Sequence, residues 1–372
     1  MKFSCYITNK KTHTLIINVC IFLVIFFLFF NTSLIISSIS NTVELFIYKI
    51  LPSLFIYIFI TEIILNFGIA DSLAFGINNI LSKVFKIPSH SASCVIIGFL
   101  LGYPNSAKYI LKLYNEHKIT SSTAIKLSAF TSNANPAYIL GTIGIGMFNN
   151  ISIGLILLLS HIISAIIIGI IYNPTNSEII IQQTTSNSNT FKKIYSSFEI
   201  LSKSIFGTLK TLSLIFSYTI IFSLIPILIT TNMHLSQVVS SLITGILEIS
   251  NGINLIVNTN IYMHHQIVLI SFILSFSSLM VIMQIYTFVK YTGVKFSALV
   301  KFKLVQGVLS SILTLSLLKF IDNSTINVFS NIELTKNYIL SSSLVHFIHI
   351  LVTLGVIFFC LSQKKSDKQI VA

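Results

Sequence analysis

The chain has 372 residues, of which 54% are apolar and only 9% are charged, and its mean hydropathy is +0.89. A water-soluble domain normally carries about 25% charged residues, so this composition excludes a soluble globule of this length. The net charge of +13 arises from lysine alone, since the chain has no arginine. Nucleic acid is therefore not an expected partner, because arginine makes most bidentate contacts with phosphate and guanine.

Apolar stretches of about 20 residues are long enough to cross a bilayer as helices. Eight of them predict transmembrane spans, at residues 14–38, 43–67, 121–148, 151–172, 204–231, 265–290, 296–320 and 338–362. The first is long, lacks a clean cleavage site and is followed by further spans, so we interpret it as a retained span. The predicted fold class is an all-α polytopic membrane protein with the lipid bilayer as its solvent.

Two further apolar stretches, at residues 90–115 and 235–258, differ because turn-forming polar residues interrupt each of them. The interruptions are at residues 102–106, with Pro104 among them, and at residues 248–252. A helix that ran through them would lose backbone hydrogen bonds inside the membrane. Both stretches therefore predict re-entrant helical hairpins, which enter and leave the membrane on the same side.

Lysines flank the apolar stretches and predict the orientation in the membrane. With both termini in the cytoplasm, most lysines lie on the inner side, among them Lys2, Lys10, Lys11, Lys83, Lys86, Lys118, Lys192, Lys193, Lys203, Lys290, Lys295, Lys364, Lys365 and Lys368. Only three lie in or beside outer regions, namely Lys49, Lys319 and Lys336. The first hairpin then opens to the inside and the second to the outside.

The two hairpins have similar neighbours along the chain. Each follows a span that contains a proline, Pro52 or Pro226, and each precedes a span with a polar interruption, at residues 130–136 or 276–278. This order favours an inverted repeat whose broken helices meet near the midplane, as in secondary transporters. Chance similarity between apolar sequences is the alternative, which sequence identity alone does not exclude.

The repeat predicts five parts of the chain. They are an N-terminal segment with the first span at 1–42, a first gate-like repeat at 43–172, a cytoplasmic polar linker at 173–203, a second gate-like repeat at 204–320, and a last span with a basic tail at 321–372.

Polar side chains at membrane depth are costly and tend to be functional. Those at the hairpin tips and span interruptions are the candidate substrate-binding residues: Tyr103, Asn105, Ser106, Lys108, Ser132, Asn133, Asn135, Ser250, Asn251 and Ser277, with Gln284 as a weaker candidate. Helix breaks also present free N–H groups, at residues 103–108 and 133–137, that favour a carboxylate or another anion. The expected partner is a small anionic solute.

Glu62 and Glu248 are the candidates for coupling a proton or cation. For Glu62 the alternative is an interfacial acid at the inner end of its helix, and for Glu248 it is a capping carboxylate at a helix break. Lys108 could reach the inner surface, pair with Glu62 or contact an anionic ligand.

No motif indicates an enzyme, because the chain has no Walker loop, dinucleotide fingerprint, HExxH or GxSxG. The four cysteines lack paired or metal-binding spacing. His346 and His349 share a face of the last predicted span, where packing is favoured over metal binding. We therefore expect no catalytic residues, cofactor or metal, and leave open whether the chain forms a homo-oligomer.

Several of these residues stand in motifs that resemble one family, the YlbJ-type sporulation integral membrane proteins, also called SpoVV. The motifs are Leu51-Pro52-Ser53-Leu54-Phe55, Thr61-Glu62, Gly102-Tyr103-Pro104-Asn105-Ser106-Ala107-Lys108, Thr131-Ser132-Asn133-Ala134-Asn135-Pro136 and Gly141-Thr142-Ile143-Gly144-Ile145-Gly146-Met147-Phe148. Family members usually carry glycine where this chain has Asn105-Ser106, and a GLS-like run near residues 277–279.

The resemblance implies a protein of the nucleoside-recognition or gate group, whose hairpins are similar to those of concentrative nucleoside transporters. It also implies a multi-pass protein in the outer forespore membrane of a sporulating mother cell, which moves dipicolinic acid and is needed for spore maturation and cortex formation. The predicted function is transport of a small anionic solute. A membrane scaffold or sensor for assembly of the forespore envelope, which does not transport, is the alternative.

Overall fold

The computed structural model of the chain describes residues 31–69, 76–173, 197–230 and 235–319. All regular structure in these ranges is helical, which confirms the predicted all-α class. Five helical stretches within them are long and apolar enough to cross a bilayer, namely Thr32–Asn66, Ile151–Ile171, Phe198–Ile227, Met263–Thr292 and Phe296–Lys319. The chain is therefore a polytopic membrane protein.

Several predictions concern residues outside these ranges. They include most of the first predicted span, most of the linker, the last predicted span with His346 and His349, and both termini with their lysines.

The first described helix is continuous where the sequence predicted a turn between two spans. Helix α1 (Thr32–Leu45) continues through a π-helical segment (Phe46–Ile50) into α2 (Leu51–Asn66). The predicted spans at 14–38 and 43–67 left residues 39–42 between them, but the helix continues there and hydrogen bonds serve polar side chains along it. Thr42 Oγ1, for example, accepts from Asn251 Nδ2 at 3.2 Å.

The first interrupted stretch forms a helical hairpin. After a short helix, α3 (Asn78–Phe85), its arms are α4 (Ala92–Leu100) and α5 (Asn105–Asn115). The break covers residues 101–104, where Gly102 has a φ of +69° that favours glycine. The predicted break at 102–106 is thus shifted, because Asn105 already begins the second arm.

The next predicted span, at 121–148, consists of two helical pieces. Helix α6 (Ser121–Thr131) ends at a non-helical segment, residues 132–135, and a π-helical segment (Tyr138–Ile145) follows soon after. The polar interruption predicted in this span is therefore confirmed as a break. Helix α7 (Ile151–Ile171) then runs uninterrupted from its cap at Asn150, whose Oδ1 accepts from Ser152 N at 2.9 Å.

The second half repeats this order of a long helix, a hairpin, a broken helix and a long helix. Its elements are α8 (Ser197–Thr230), α9 (Gln237–Leu247), α10 (Ile249–Val257), α11 (Met263–Phe276), α12 (Ser278–Val289) and α13 (Phe296–Lys319). The hairpin breaks at Glu248 and the broken helix at Ser277, which has a φ of +69°. An inverted relation between the halves, the re-entrant placement of the hairpins and the five-part division stay predictions.

The packing fits a protein surrounded by lipid. Large apolar side chains such as Phe55, Leu159, Phe206 and Ile312 are exposed on the long helices, which water would not favour. Inside, small residues allow close helix contacts: a Cβ atom on Gly252 of α10 would overlap the backbone of Gly245 in α9.

Candidate functional site

A cavity of about 40 Å³ lies where the breaks of both halves come together, large enough for about three water molecules. Its wall is built from both halves: α2 with the preceding π-helical segment, α8, α12, both hairpin tips and the first broken span. The lining side chains are Ile50, Leu54, Ile58, Leu101, Tyr103, Asn135, Tyr138, Ile215, Thr219, Ile249, Ser250, Met280, Val281 and Gln284. Four residues predicted from the sequence therefore line it: Tyr103, Asn135, Ser250 and the weaker candidate Gln284.

Direct hydrogen bonds hold the breaks against one another. The first hairpin tip contacts the break after α6, since Tyr103 N donates to Asn133 O at 2.8 Å and Asn135 Nδ2 donates to Leu101 O at 3.3 Å. The second hairpin tip joins them, because Tyr138 Oη donates to Ser250 Oγ at 3.2 Å. Any movement of a hairpin tip must break or exchange these bonds.

Gln284 is the cavity residue with an unused hydrogen-bonding group. Its side chain is buried, and its Nε2 has no hydrogen-bond partner within the described residues. An unpaired buried donor destabilises the folded state by about 1–3 kcal/mol. A molecule in the cavity that offers an oxygen acceptor would remove this penalty.

Several of the backbone N–H groups predicted to face an anion already have acceptors within the protein. Ala134 N donates to His161 Nε2 at 3.0 Å, and Ala137 N donates to Asn135 Oδ1 at 2.7 Å. In the first hairpin, Lys108 N donates to Pro104 O at 3.1 Å. In this conformation these donors stabilise the breaks themselves.

Lys108 lies away from the cavity lining and contacts Glu62. Its Nζ is 3.5 Å from Glu62 Oε1 and donates to Thr211 Oγ1 at 2.9 Å. The pair connects α5 to α2 and α8, which is the pairing alternative considered for Lys108. No charged side chain belongs to the cavity lining in the part of the chain that the structure describes.

Glu248 has the geometry of a helix cap. The carboxylate is fully buried, and its two oxygens accept from Ser250 N at 2.8 Å and Asn251 N at 2.7 Å at the start of α10. This is the capping alternative. Ion coupling by Glu248 or Glu62 stays a prediction.

The remaining candidates lie outside the cavity lining. Asn251 Nδ2 donates to Thr42 Oγ1, and Ser277 ends α11. Asn105 Oδ1 and Ser106 Oγ are buried without a hydrogen-bond partner among the described residues. Ser132 and Asn133 belong to a different polar cluster.

That cluster surrounds Lys303, which is not among the residues predicted from the sequence. Lys303 in α13 is buried, and its Nζ donates to Ser132 O and, at 2.8 Å, to Gln306 Oε1. Gln306 Nε2 in turn donates to Asn133 Oδ1 at 3.0 Å. The available signal was a lysine and a glutamine three residues apart within an apolar span, on one face of a helix.

Comparison with known proteins now adds to this geometry. The chain is 23% identical over 303 residues to the sporulation integral membrane protein YlbJ of Bacillus subtilis (strain 168), covering 73% of this chain and 74% of that protein. This similarity agrees with the resemblance to the YlbJ-type sporulation integral membrane proteins. No family model matches the chain, and no solved structure matches it.

The name of this relative and the apolar helices of the chain both point to a membrane protein. Five candidate spans in the described part, together with the similarity to an integral membrane protein, indicate a multi-pass integral membrane protein.

Proposed function

We propose that this YlbJ-type protein is a transporter that moves a small solute through the cavity between its two halves. The supporting observation is that both hairpin tips, the break after α6 and the start of α12 beyond the second break meet at one cavity. Broken helices that meet inside a membrane bundle are typical of secondary transporters, whose solute sites lie between structural repeats.

Alternating access is the proposed mechanism. The cavity in this conformation has room for water molecules only, so a solute requires displacement of at least one hairpin tip. The Tyr138–Ser250 hydrogen bond joins the two halves and would break when they separate. In this proposal the hairpins are re-entrant, the halves form an inverted repeat and no chemical conversion of the solute takes place.

Dipicolinic acid is the proposed solute because of the family resemblance, and the outer forespore membrane is the proposed location. The apolar side chains of Leu54 and Ile58 in the wall could contact the aromatic ring of dipicolinate. Its carboxylates could accept hydrogen bonds from the neutral donors Tyr103, Asn135 and Gln284. Since the described lining lacks a cationic side chain, these neutral groups would carry the recognition.

Flux through purified protein tests the proposal. Proteoliposomes that contain the full chain should take up dipicolinate with saturation, and unlabelled dipicolinate should compete, whereas empty liposomes should show only slow leakage. Uptake that equals leakage at every concentration would refute dipicolinate as the solute.

Spores of a deletion strain distinguish transport from a scaffold. Transport predicts low dipicolinate in the spores, restored by the intact gene but not by a folded, flux-defective variant. Full restoration of the spore cortex by that variant would favour the scaffold or sensor.

A further inference from the structure

Lys303 is an unusual residue because its ammonium is buried in the bundle and has no carboxylate partner in the ranges that the structure describes. It is 1% exposed and lies within a candidate span. The ion pairs Lys108–Glu62 and Lys118–Glu116 lie elsewhere in the described part of the chain, and neither involves Lys303. A charge at such depth is expensive, and it usually marks an ion or substrate pathway.

The partners of Lys303 resemble a cation site. Its Nζ is bound by the main-chain carbonyl of Ser132, at the open C-terminal end of α6, and by the side-chain carbonyl of Gln306. Unwound carbonyls at the ends of half-helices are the groups that coordinate a coupling cation in transporters with broken helices. Here an ammonium that belongs to the chain itself occupies that position.

The same cluster reaches both broken helices. His161 in α7 accepts a hydrogen bond from Ala134 N at its Nε2, so the imidazole proton lies on Nδ1. Nδ1 donates to Ser275 Oγ at 2.8 Å. Ser275 lies two residues before the break at Ser277. The imidazole is therefore neutral in this arrangement. Gln306 completes the link by donating to Asn133 Oδ1 and, at 3.5 Å, to His161 O.

We propose that Lys303 is the ion-coupling group of this protein, a built-in cation that carries one proton per transport cycle in place of a bound metal cation. The inference rests on the proposed transport function. With its proton, Lys303 holds the carbonyl end of α6 closed. When the break opens to water, the ammonium releases H⁺ to a water molecule and becomes a neutral amine, and it takes up H⁺ again when the break faces the other side.

The groups around Lys303 decide which variants isolate its titration. His161 is the titratable group that faces it from α7, while the break after α6 contributes Ser132 and Asn133, and α11 contributes Ser275. Lys303→Arg keeps the positive charge but does not release a proton in a protein, so it removes coupling and preserves charge. Lys301→Arg is the matched control, because Lys301 lies two residues away on the exposed face of the same helix.

Proton-driven uptake is the first test. In proteoliposomes the parent protein should take up dipicolinate several-fold faster under one polarity of a one-unit pH gradient, and a sodium gradient should have no effect. Lys303→Arg should lose this stimulation but retain solute exchange, whereas Lys301→Arg should behave as the parent. Stimulation that survives in Lys303→Arg, or uptake driven by sodium, overturns the proposal.

A second test does not depend on the solute, so it separates this inference from the proposed function. Thr219, which lines the cavity, is replaced by cysteine in a cysteine-free background, and labelling by a water-soluble maleimide is measured as pH rises. An exposed reference cysteine corrects for the pH dependence of the maleimide reaction itself. After this correction, labelling of the cysteine at position 219 should increase several-fold at high pH in the parent and in His161→Gln. It should stay constant in Lys303→Arg.

Labelling that is independent of pH in the parent, or a dependence that follows His161 instead of Lys303, overturns the proposal. If Lys303→Arg does not yield a monodisperse protein, Lys303→Gln replaces it, and this neutral variant should label at the high-pH level at every pH.

Discussion

At the residue scale, one side chain in the cavity, Gln284, has a polar group that no hydrogen bond within the described residues satisfies. Gln284 is buried with an unpaired Nε2, while its neighbours Met280 and Val281 complete an apolar wall. A purely structural position would favour an apolar residue of the same size, because an unpaired buried donor is costly. Such a misfit is expected where a residue is kept for binding.

Gln284→Met therefore separates stability from function. The variant should be more stable by about 1 kcal/mol, because it removes an unsatisfied donor, and dipicolinate flux should fall about tenfold, the loss expected for one hydrogen bond of about 1.4 kcal/mol. Thermal unfolding in detergent and proteoliposome flux measure the two effects.

Met283→Leu is the control, because Met283 is exposed on the same helix and should change neither quantity. Lower stability together with normal flux in Gln284→Met would mean that the amide has a structural role.

At the element scale, the second hairpin depends on Glu248 to begin α10. Its two oxygens serve two backbone donors, and a glutamine offers one oxygen for the same pair. We expect Glu248→Gln to destabilise the protein by about 1–2 kcal/mol, the usual cost of a lost helix cap. Thermal unfolding measures it against Glu44→Gln, which changes an exposed acid in α1.

The coupling role predicted for Glu248 leads to a different result. A glutamine mimics the protonated acid, so a coupling residue would lose its response to a pH gradient while stability stayed near that of the parent. That outcome would contradict the cap as the main role of Glu248 and would also compete with Lys303 as the coupling group.

The hairpin arms also need their glycines. A Cβ atom at Gly252 would overlap the backbone of Gly245, so Gly252→Ala should separate α9 from α10 and cost about 1–3 kcal/mol, as overpacking does. Gly76→Ala is the control, because no atom lies within 4 Å of its added methyl group. Equal thermal stability of the two variants would contradict the close contact between the hairpin arms.

Local sequence was sufficient to locate the breaks, because the residues that cause them are local. Gly102 and Pro104 interrupt the first hairpin, and Asn133 and Asn135 mark the interruption of the broken span, each within a residue or two of the prediction. The continuity of α1 into α2 was missed. One polar residue there, Thr42, pairs with Asn251, which is distant in sequence.

The site was only partly predictable for the same reason. Tyr103, Asn135 and Ser250 line the cavity, and their role in binding stays a prediction. The positions of Lys108, Ser132 and Asn133 depend on which helices lie beside the breaks, and no local pattern specifies that. The partnership of Lys303 with Ser132 joins residues 171 positions apart.

At the scale of the whole molecule, the account depends on two halves that separate and rejoin around one cavity. Hydrogen bonds cross between them at several places, and Tyr138–Ser250 lies at the cavity itself. A rigid scaffold with the same fold would keep that cavity closed from both sides.

Accessibility of the cavity from each face of the membrane tests this claim most directly. A single cysteine at Ser250 is labelled with an impermeant maleimide in right-side-out and inside-out vesicles, with and without dipicolinate. The account predicts labelling from both sides, with a solute-dependent change in the ratio of the two rates. Protection from both sides under all conditions, in a protein whose reference cysteine at exposed Tyr262 still reacts, would contradict it.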